Sequence, residues 1–153
     1  MIEITGNFWD YIKDYDALVC TTNCVISKSN KLVMGKSLAL DFRNRFPGID
    51  ALFAKDILNH PNNFFCSIHW WFSRTDMKHL IAFPTKTHYK YNSNLGLIEN
   101  SLQKLVEWTN VSKVEKVLMV RPGCSNGRLD WETQVKPLCL RYLDDRFTVI
   151  NNE

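Results

Sequence analysis

Short apolar and β-branched runs alternate along the chain with stretches of helical periodicity. Ile2 to Thr5 predicts a first strand, and Phe8 to Lys13 a short helical or looped segment. Ala17 to Thr22 (ALVCTT) is nearly continuous in apolar character until Asn23, the pattern of a strand covered on both faces. The polar stretch Ser27 to Lys31 predicts a loop. In Ser37 to Phe46, Leu38, Phe42 and Phe46 recur every four residues, with Arg43 and Arg45 off that stripe. This predicts a helix that Pro47-Gly48 ends. Ile49 to Leu58 predicts a second helix, and His60-Pro61-Asn62-Asn63 a turn.

Phe64 to Phe72 predicts a strand by its aromatic content, with Trp70 and Trp71 on opposite faces, one core and one surface. Lys78 to Phe83 predicts another, stopped by Pro84. Leu95 to Trp108 carries Leu95, Ile98, Leu102, Leu105 and Val106 on one helical stripe, with Ser93 placed as its cap. Val117 to Val120 is an apolar strand, followed by the polar, glycine-containing loop Pro122 to Arg128. Trp131 to Tyr142 predicts a last helix, in which Pro137 marks either a kink or the true start. Phe147 to Ile150 closes the series as a strand.

This alternation predicts an α/β fold: a mostly parallel sheet with helices on both faces. In such sheets ligands sit beyond the carboxyl ends of the strands, near a switch in strand order. The candidate functional loops are therefore Gly6–Phe8, Thr22–Leu38, Pro84–Lys90 and Pro122–Trp131.

Composition narrows this picture mainly by exclusion. The 153 residues suit one domain, 1–153, large enough for its own core. The net charge of +3 is too mild and too scattered for a protein that coats nucleic acid, but it suits a small anionic ligand. Five cysteines (Cys20, Cys24, Cys66, Cys124, Cys139) are odd in number and irregular in spacing, which predicts free thiols in a reducing cytoplasm. No Cys/His spacing suggests a metal site, and no cofactor is expected. The start, MIEITGNFWDYIKDYD, lacks the features of a signal peptide, and no apolar run approaches the ~20 residues that span a bilayer.

Two loops carry the marks of anion sites. Val33-Met34-Gly35-Lys36-Ser37 leads directly into a helix, whose first amides attract anions while glycine permits close approach. Gly123-Cys124-Ser125-Asn126-Gly127-Arg128 repeats the device, and two such loops can clamp a diphosphate. Shaping of ordinary turns is the plainer use of these glycines. Lys86, directly after a strand, points toward the same crevice. A partly desolvated lysine sheds its proton more easily and can attack a carbonyl-like carbon; kept charged, it neutralises phosphate, and solvated it does neither. His88 is a candidate acid or base, or an exposed loop residue.

Four segments, in order, resemble a macro domain, the ADP-ribose-binding fold. They are similar to the small ADP-ribosyl hydrolase subgroup that includes the DNA ADP-ribosyl glycohydrolase antitoxin and terminal ADP-ribose protein glycohydrolase. The opening is Ile4–Phe8 followed by Asp16–Asn23. Met34–Pro47 is similar to MGKGIALxFKxxFP, Phe83–Tyr89 to FPTKxHW, and Gly123–Leu138 to GxGNGGLDWxxVKPLI. The resemblance runs from Ile4 to about Ile150 and implies a three-layer α/β/α sandwich around a mixed, mostly parallel sheet.

It also implies a binding mode for ADP-ribose. Adenine would sit near Asn7 and Phe8. The diphosphate would lie between Met34, Gly35, Lys36, Ser37 and Leu38 on one side and Gly123, Cys124, Ser125, Asn126, Gly127 and Arg128 on the other. Thr22, Pro84 and Thr85 would complete the walls, and the distal ribose would approach Asn23 and Lys86. By the resemblance Lys86 is the catalytic residue, acting at the ribose C1″, with Asn23 holding its hydroxyls. The chain departs from the family at Asn7, where an Asp is usual, and at Ser37, Ser125 and Arg128, which stand in place of glycines. Ile26–Leu32 is longer than the corresponding loop.

The expected function is removal of ADP-ribose from nucleic acid or protein. The alternatives are a phosphatase acting on ADP-ribose 1″-phosphate and a non-catalytic module that binds ADP-ribose or a related nucleotide. The expected partner is ADP-ribose or an ADP-ribosylated macromolecule, with no membrane. The protein is expected to be a monomer in the cytoplasm, or the host's cytoplasm if it is viral, as stand-alone macro proteins of this length occur in bacteria and their viruses.

Overall fold

Six strands form one sheet in the computed structural model, which describes residues 1–152. They are β1 (Ile2–Gly6), β2 (Ala17–Thr22), β3 (Cys66–Trp71), β4 (Met77–Pro84), β5 (Val117–Val120) and β6 (Phe147–Asn152), in the order β1-β6-β5-β2-β4-β3. Every neighbouring pair is parallel except β3 and β4, which form an antiparallel edge. The helices are α1 (Phe8–Tyr11), α2 (Ser37–Arg45), α3 (Ile49–Asn59), α4 (Leu95–Ser112) and α5 (Lys136–Tyr142).

Strand alternation sorts the core into two clusters, one on each face. On β2, Ala17 and Val19 face one way and Leu18 and Cys20 the other; on β4, Ile81 and Phe83 oppose Leu80 and Ala82. The first set packs against Ile98, Leu102 and Leu105 of α4 and Leu138 and Cys139 of α5. The second meets Phe8 of α1, Phe42 of α2 and Phe53 and Ile57 of α3. Because both faces are covered, the central strands read as unbroken apolar runs. The result is a three-layer α/β/α sandwich with a mixed, mostly parallel sheet, as the resemblance implies.

Several element ends differ from the sequence expectation. α4 runs on to Ser112, where Thr109 Oγ1 donates to Leu105 O (2.7 Å) and Lys113, with φ of 60°, closes the helix in a left-handed conformation. Its cap is Asn94, whose Oδ1 accepts from Leu97 N (2.9 Å), and not Ser93. Ser93 is buried, and its amide donates to Gly127 O (3.0 Å). The predicted Trp131–Tyr142 helix divides into a π-helical turn, Trp131–Val135, and α5. Pro137 sits in the first turn of α5, where its missing N–H costs nothing, so it marks a start and not a kink. Trp70 stacks edge-on against Phe46 at 5.4 Å while Trp71 is 60% exposed, as alternation requires.

All five cysteines are free thiols. Among the described residues, no helix is long and apolar enough to cross a membrane.

Candidate functional site

The parallel strands end on one side of the sheet, and the chain leaves them in opposite directions. From β2 it turns to the α2–α3 layer; from β5 it turns to the α5 layer. A crevice of about 1070 Å³ opens between these departures. Thr22 and Asn23, Gly35–Leu38, Thr85 and Lys86, and Gly123–Arg128 all line it.

Asn23 and Lys86 are neighbours because β2 and β4 stay zipped past their ends. The register pairs Thr22 with Pro84; beyond it Thr85 N donates to Thr22 O (2.9 Å) and Cys24 N to Thr87 O (3.3 Å). Asn23 is almost fully buried. Its Nδ2 donates to Val33 O (3.0 Å) and its Oδ1 accepts from Val25 N (3.0 Å). The side chain thus pins both ends of the Ile26–Leu32 hairpin, leaving one N–H and one lone pair for a ligand. The hairpin is closed by an antiparallel bridge between Ile26 and Leu32, with Leu32 sunk in the core. Lys86 is half-buried. Its partial burial, and then the nearby Lys36 charge, push its pKa below the ordinary lysine value.

The first loop ends at the start of α2, whose opening residues Ser37, Leu38 and Ala39 line the crevice and whose opening amides lack helical acceptors. Ser37 adopts φ of 49°, the left-handed region in which glycine is most at ease. The second loop folds back tightly: Leu129 N donates to Gly123 O (2.9 Å) and Arg128 N to Ser125 O (3.1 Å). Arg128 is also left-handed, at φ of 62°. Two of the three residues that stand in place of family glycines, Ser37 and Arg128, therefore keep a glycine-like backbone, and Ser125 does not. A Cβ added at Gly127 would run into Ser93 Oγ and come within 2.6 Å of Gly123 O, so this position admits no side chain without moving the loop.

Cys124 donates its thiol to Pro122 O (3.4 Å), and burial pushes its pKa up to about 11, so it is a protonated thiol and not a thiolate nucleophile near neutrality. Asp130, the acidic residue of the crevice wall, caps the π turn: Oδ2 accepts from Thr133 N (2.8 Å) and Thr133 Oγ1 (2.6 Å). Those bonds lower its pKa and occupy one oxygen.

Four expected residues do not reach the crevice wall. Phe8 is fully buried against Trp9 and Phe42, and its amide is taken by Asn152 Oδ1 (2.7 Å). Asn7 spends its Oδ1 on capping α1, accepting from Trp9 N (3.0 Å). Met34 is buried in the helical layer, and Pro84 is buried with its carbonyl accepting from Ser101 Oγ (2.7 Å). Their neighbours supply the surface instead.

Other wall residues escaped the sequence reading. Asn151 and Asn152 end β6, and Arg121 follows β5 with its guanidinium 5.0 Å from the Trp131 ring. Trp131 is held in turn by a bond from Nε1 to Glu3 Oε1 (3.1 Å). The signal for these was available only as strand ends, since no motif marks them.

No family model matches the chain. A curated relative, the "DNA ADP-ribosyl glycohydrolase" of Mycobacterium tuberculosis, is 33% identical over 120 residues, which is 78% of this chain and 32% of the relative. The chain thus spans about a third of the length of the curated relatives it matches, at 32%. Among solved structures, the macrodomain of Mycobacterium tuberculosis DarG has a TM-score of 0.71 at 28% identity, covering 92% of this chain and 91% of that one. Thermosipho africanus DarTG in complex with ADP-ribose has a TM-score of 0.73 at 24% identity, over 92% of this chain and 39% of that one, a likeness of fold. Sheet order, layers and crevice are those of a macro-domain fold. Within that fold the chain is similar to the DarG macrodomains.

Proposed function

We propose that the crevice binds ADP-ribose and that the chain removes it from DNA as a glycohydrolase. The observation that carries this is Lys86: a lysine with a lowered pKa, fixed beside Asn23 at the strand ends, in a crevice walled by two anion-attracting loops. The activity for which the relatives are named and the ADP-ribose bound to Thermosipho africanus DarTG support the same ligand.

The diphosphate lies between the α2 amides and the Gly123–Arg128 loop, which puts the distal ribose at Asn23 and Lys86. Asn23 uses its remaining donor and acceptor on the ribose hydroxyls. The neutral Lys86 amine attacks C1″ as the bond from C1″ to the DNA base breaks, and the proton released by the new ammonium passes to the departing base. Water then adds at C1″, the C–N bond to Lys86 breaks, and ADP-ribose leaves with the amine restored. Arg121, Lys36 and Arg128 bring positive charge to the diphosphate. One chain supplies every wall named, which suits a monomer, and the five reduced thiols suit a cytoplasmic setting without a membrane.

The test offers ADP-ribosylated DNA, ADP-ribosylated protein and ADP-ribose 1″-phosphate to the protein and to Lys86→Ala. Release of ADP-ribose from DNA by the former alone, with ADP-ribose binding kept in both, is the expected result. Full activity of Lys86→Ala, or turnover of the phosphate ester alone, overturns it.

A further inference from the structure

Beyond the crevice proper stands a group of rings that the proposed reaction does not use. Tyr89 is 47% exposed and Tyr91 63%, large aromatic side chains turned to solvent at the crevice mouth. The His88 ring lies between them, its centroid 4.1 Å from that of Tyr89 at 35° and 5.5 Å from that of Tyr91 at 46°.

The group is organised before any ligand arrives. Tyr91 N donates to His88 O (3.1 Å), closing a turn, and Lys90 N donates to His88 Nδ1 (3.1 Å), fixing the imidazole plane. The turn is anchored to the β2 tip through Cys24 N and Thr87 O. It begins two residues after Lys86, so a macromolecule whose ADP-ribose reaches Lys86 emerges beside these rings. The charge around them is one-sided: Lys36, Lys86, Lys90 and Arg128 border the crevice against Asp130, whose carboxylate is engaged in its cap.

We propose that His88, Tyr89 and Tyr91 form a base-stacking subsite for single-stranded DNA, holding a nucleotide adjacent to the modified one. Exposed rings interleaved with cations are the chemistry that binds unpaired bases along a phosphate backbone, because every base offers a π face. A duplex hides those faces, and a peptide supplies neither them nor the phosphates. The subsite deepens the proposed function and rests on it for the direction in which the DNA leaves the crevice.

The test measures binding of the full chain to an unmodified fluorescent oligonucleotide, to an abasic strand of equal length and to the duplex of the same sequence. Variants are Tyr89→Ala/Tyr91→Ala and Tyr89→Phe/Tyr91→Phe. The single strand is expected to bind at least about tenfold tighter than the abasic strand, and the alanine pair to lose that margin while the phenylalanine pair keeps it. Equal binding of the abasic strand or the duplex, or an alanine pair as tight as the unaltered protein, overturns the subsite. Since these oligonucleotides carry no ADP-ribose, their binding is read independently of turnover: failure to hydrolyse ADP-ribosylated DNA with this binding intact sinks the proposed reaction alone, and hydrolysis without this binding sinks the subsite alone.

Discussion

Asn126 Nδ2 donates a 2.7 Å hydrogen bond to Ser37 Oγ, joining two loops 89 residues apart across the crevice. A glycine at position 37 leaves the same backbone without this clasp. The bond is solvent-exposed, so its net worth is about 1 kcal/mol. Ser37→Gly should therefore speed both association and dissociation of ADP-ribose by roughly fivefold, with little change in Kd. Stopped-flow fluorescence checks this; unchanged rates show that the clasp does not gate the crevice.

In the proposed reaction Lys86 attacks in its neutral form, so the rate should rise with pH and level off below the ordinary lysine range, because burial and the Lys36 charge lower its pKa. Removing the like charge relieves that pressure. Lys36→Met should shift the rising limb to higher pH, while Lys86→Ala cuts turnover at least about a thousandfold. Initial-rate profiles of kcat against pH decide; a limb that stays put in Lys36→Met removes Lys86 as the titrating group.

Two glycines of the phosphate loops should respond differently to alanine. At Gly127 the added Cβ collides with Ser93 and Gly123 O, and displacing the loop by about 1 Å should cost roughly a hundredfold in turnover. At Gly35 a Cβ meets nothing within 4 Å, so Gly35→Ala should melt like the unaltered protein while Gly127→Ala melts lower. Calorimetric melting curves compare the pair directly.

Phe42 is fully buried, with ring centroids 5.9, 5.2 and 5.4 Å from Phe8, Trp9 and Phe46. It is the hub of the layer that seats the start of α2. Phe42→Ala should cost about 3–5 kcal/mol in urea unfolding. A loss below about 1 kcal/mol would mean that this layer repacks freely.

The architecture was legible where burial and periodicity agree. Ala17–Thr22 and Val117–Val120 match their strands end to end, since both faces of each are covered. The ends governed by side-chain hydrogen bonds were not: Ser93 and Asn94 are equally good caps on paper, and only the packing of Ser93 against Gly127 decides between them. Of the site, Lys86, Asn23 and the two loops could be read because they follow strands directly. That the Asn7 amide oxygen caps α1 and the Phe8 ring belongs to the core was not legible, because the sequence does not say which hydrogen bond or packing partner each takes. Arg121, Asn151 and Asn152 were silent, since their part comes from where β5 and β6 stop and not from residue type.

The position of β6 bears on when the protein becomes competent during synthesis. β1 hydrogen-bonds to β6 alone, and β6 lies between β1 and β5, inside the sheet. On the ribosome the first strand has no place to dock until residues 147–152 emerge. Asn152, whose side chain holds the Phe8 amide, arrives with that strand. A nascent chain therefore carries Lys86 and both loops well before it carries a closed crevice, and activity should switch on in one step as the final strand inserts.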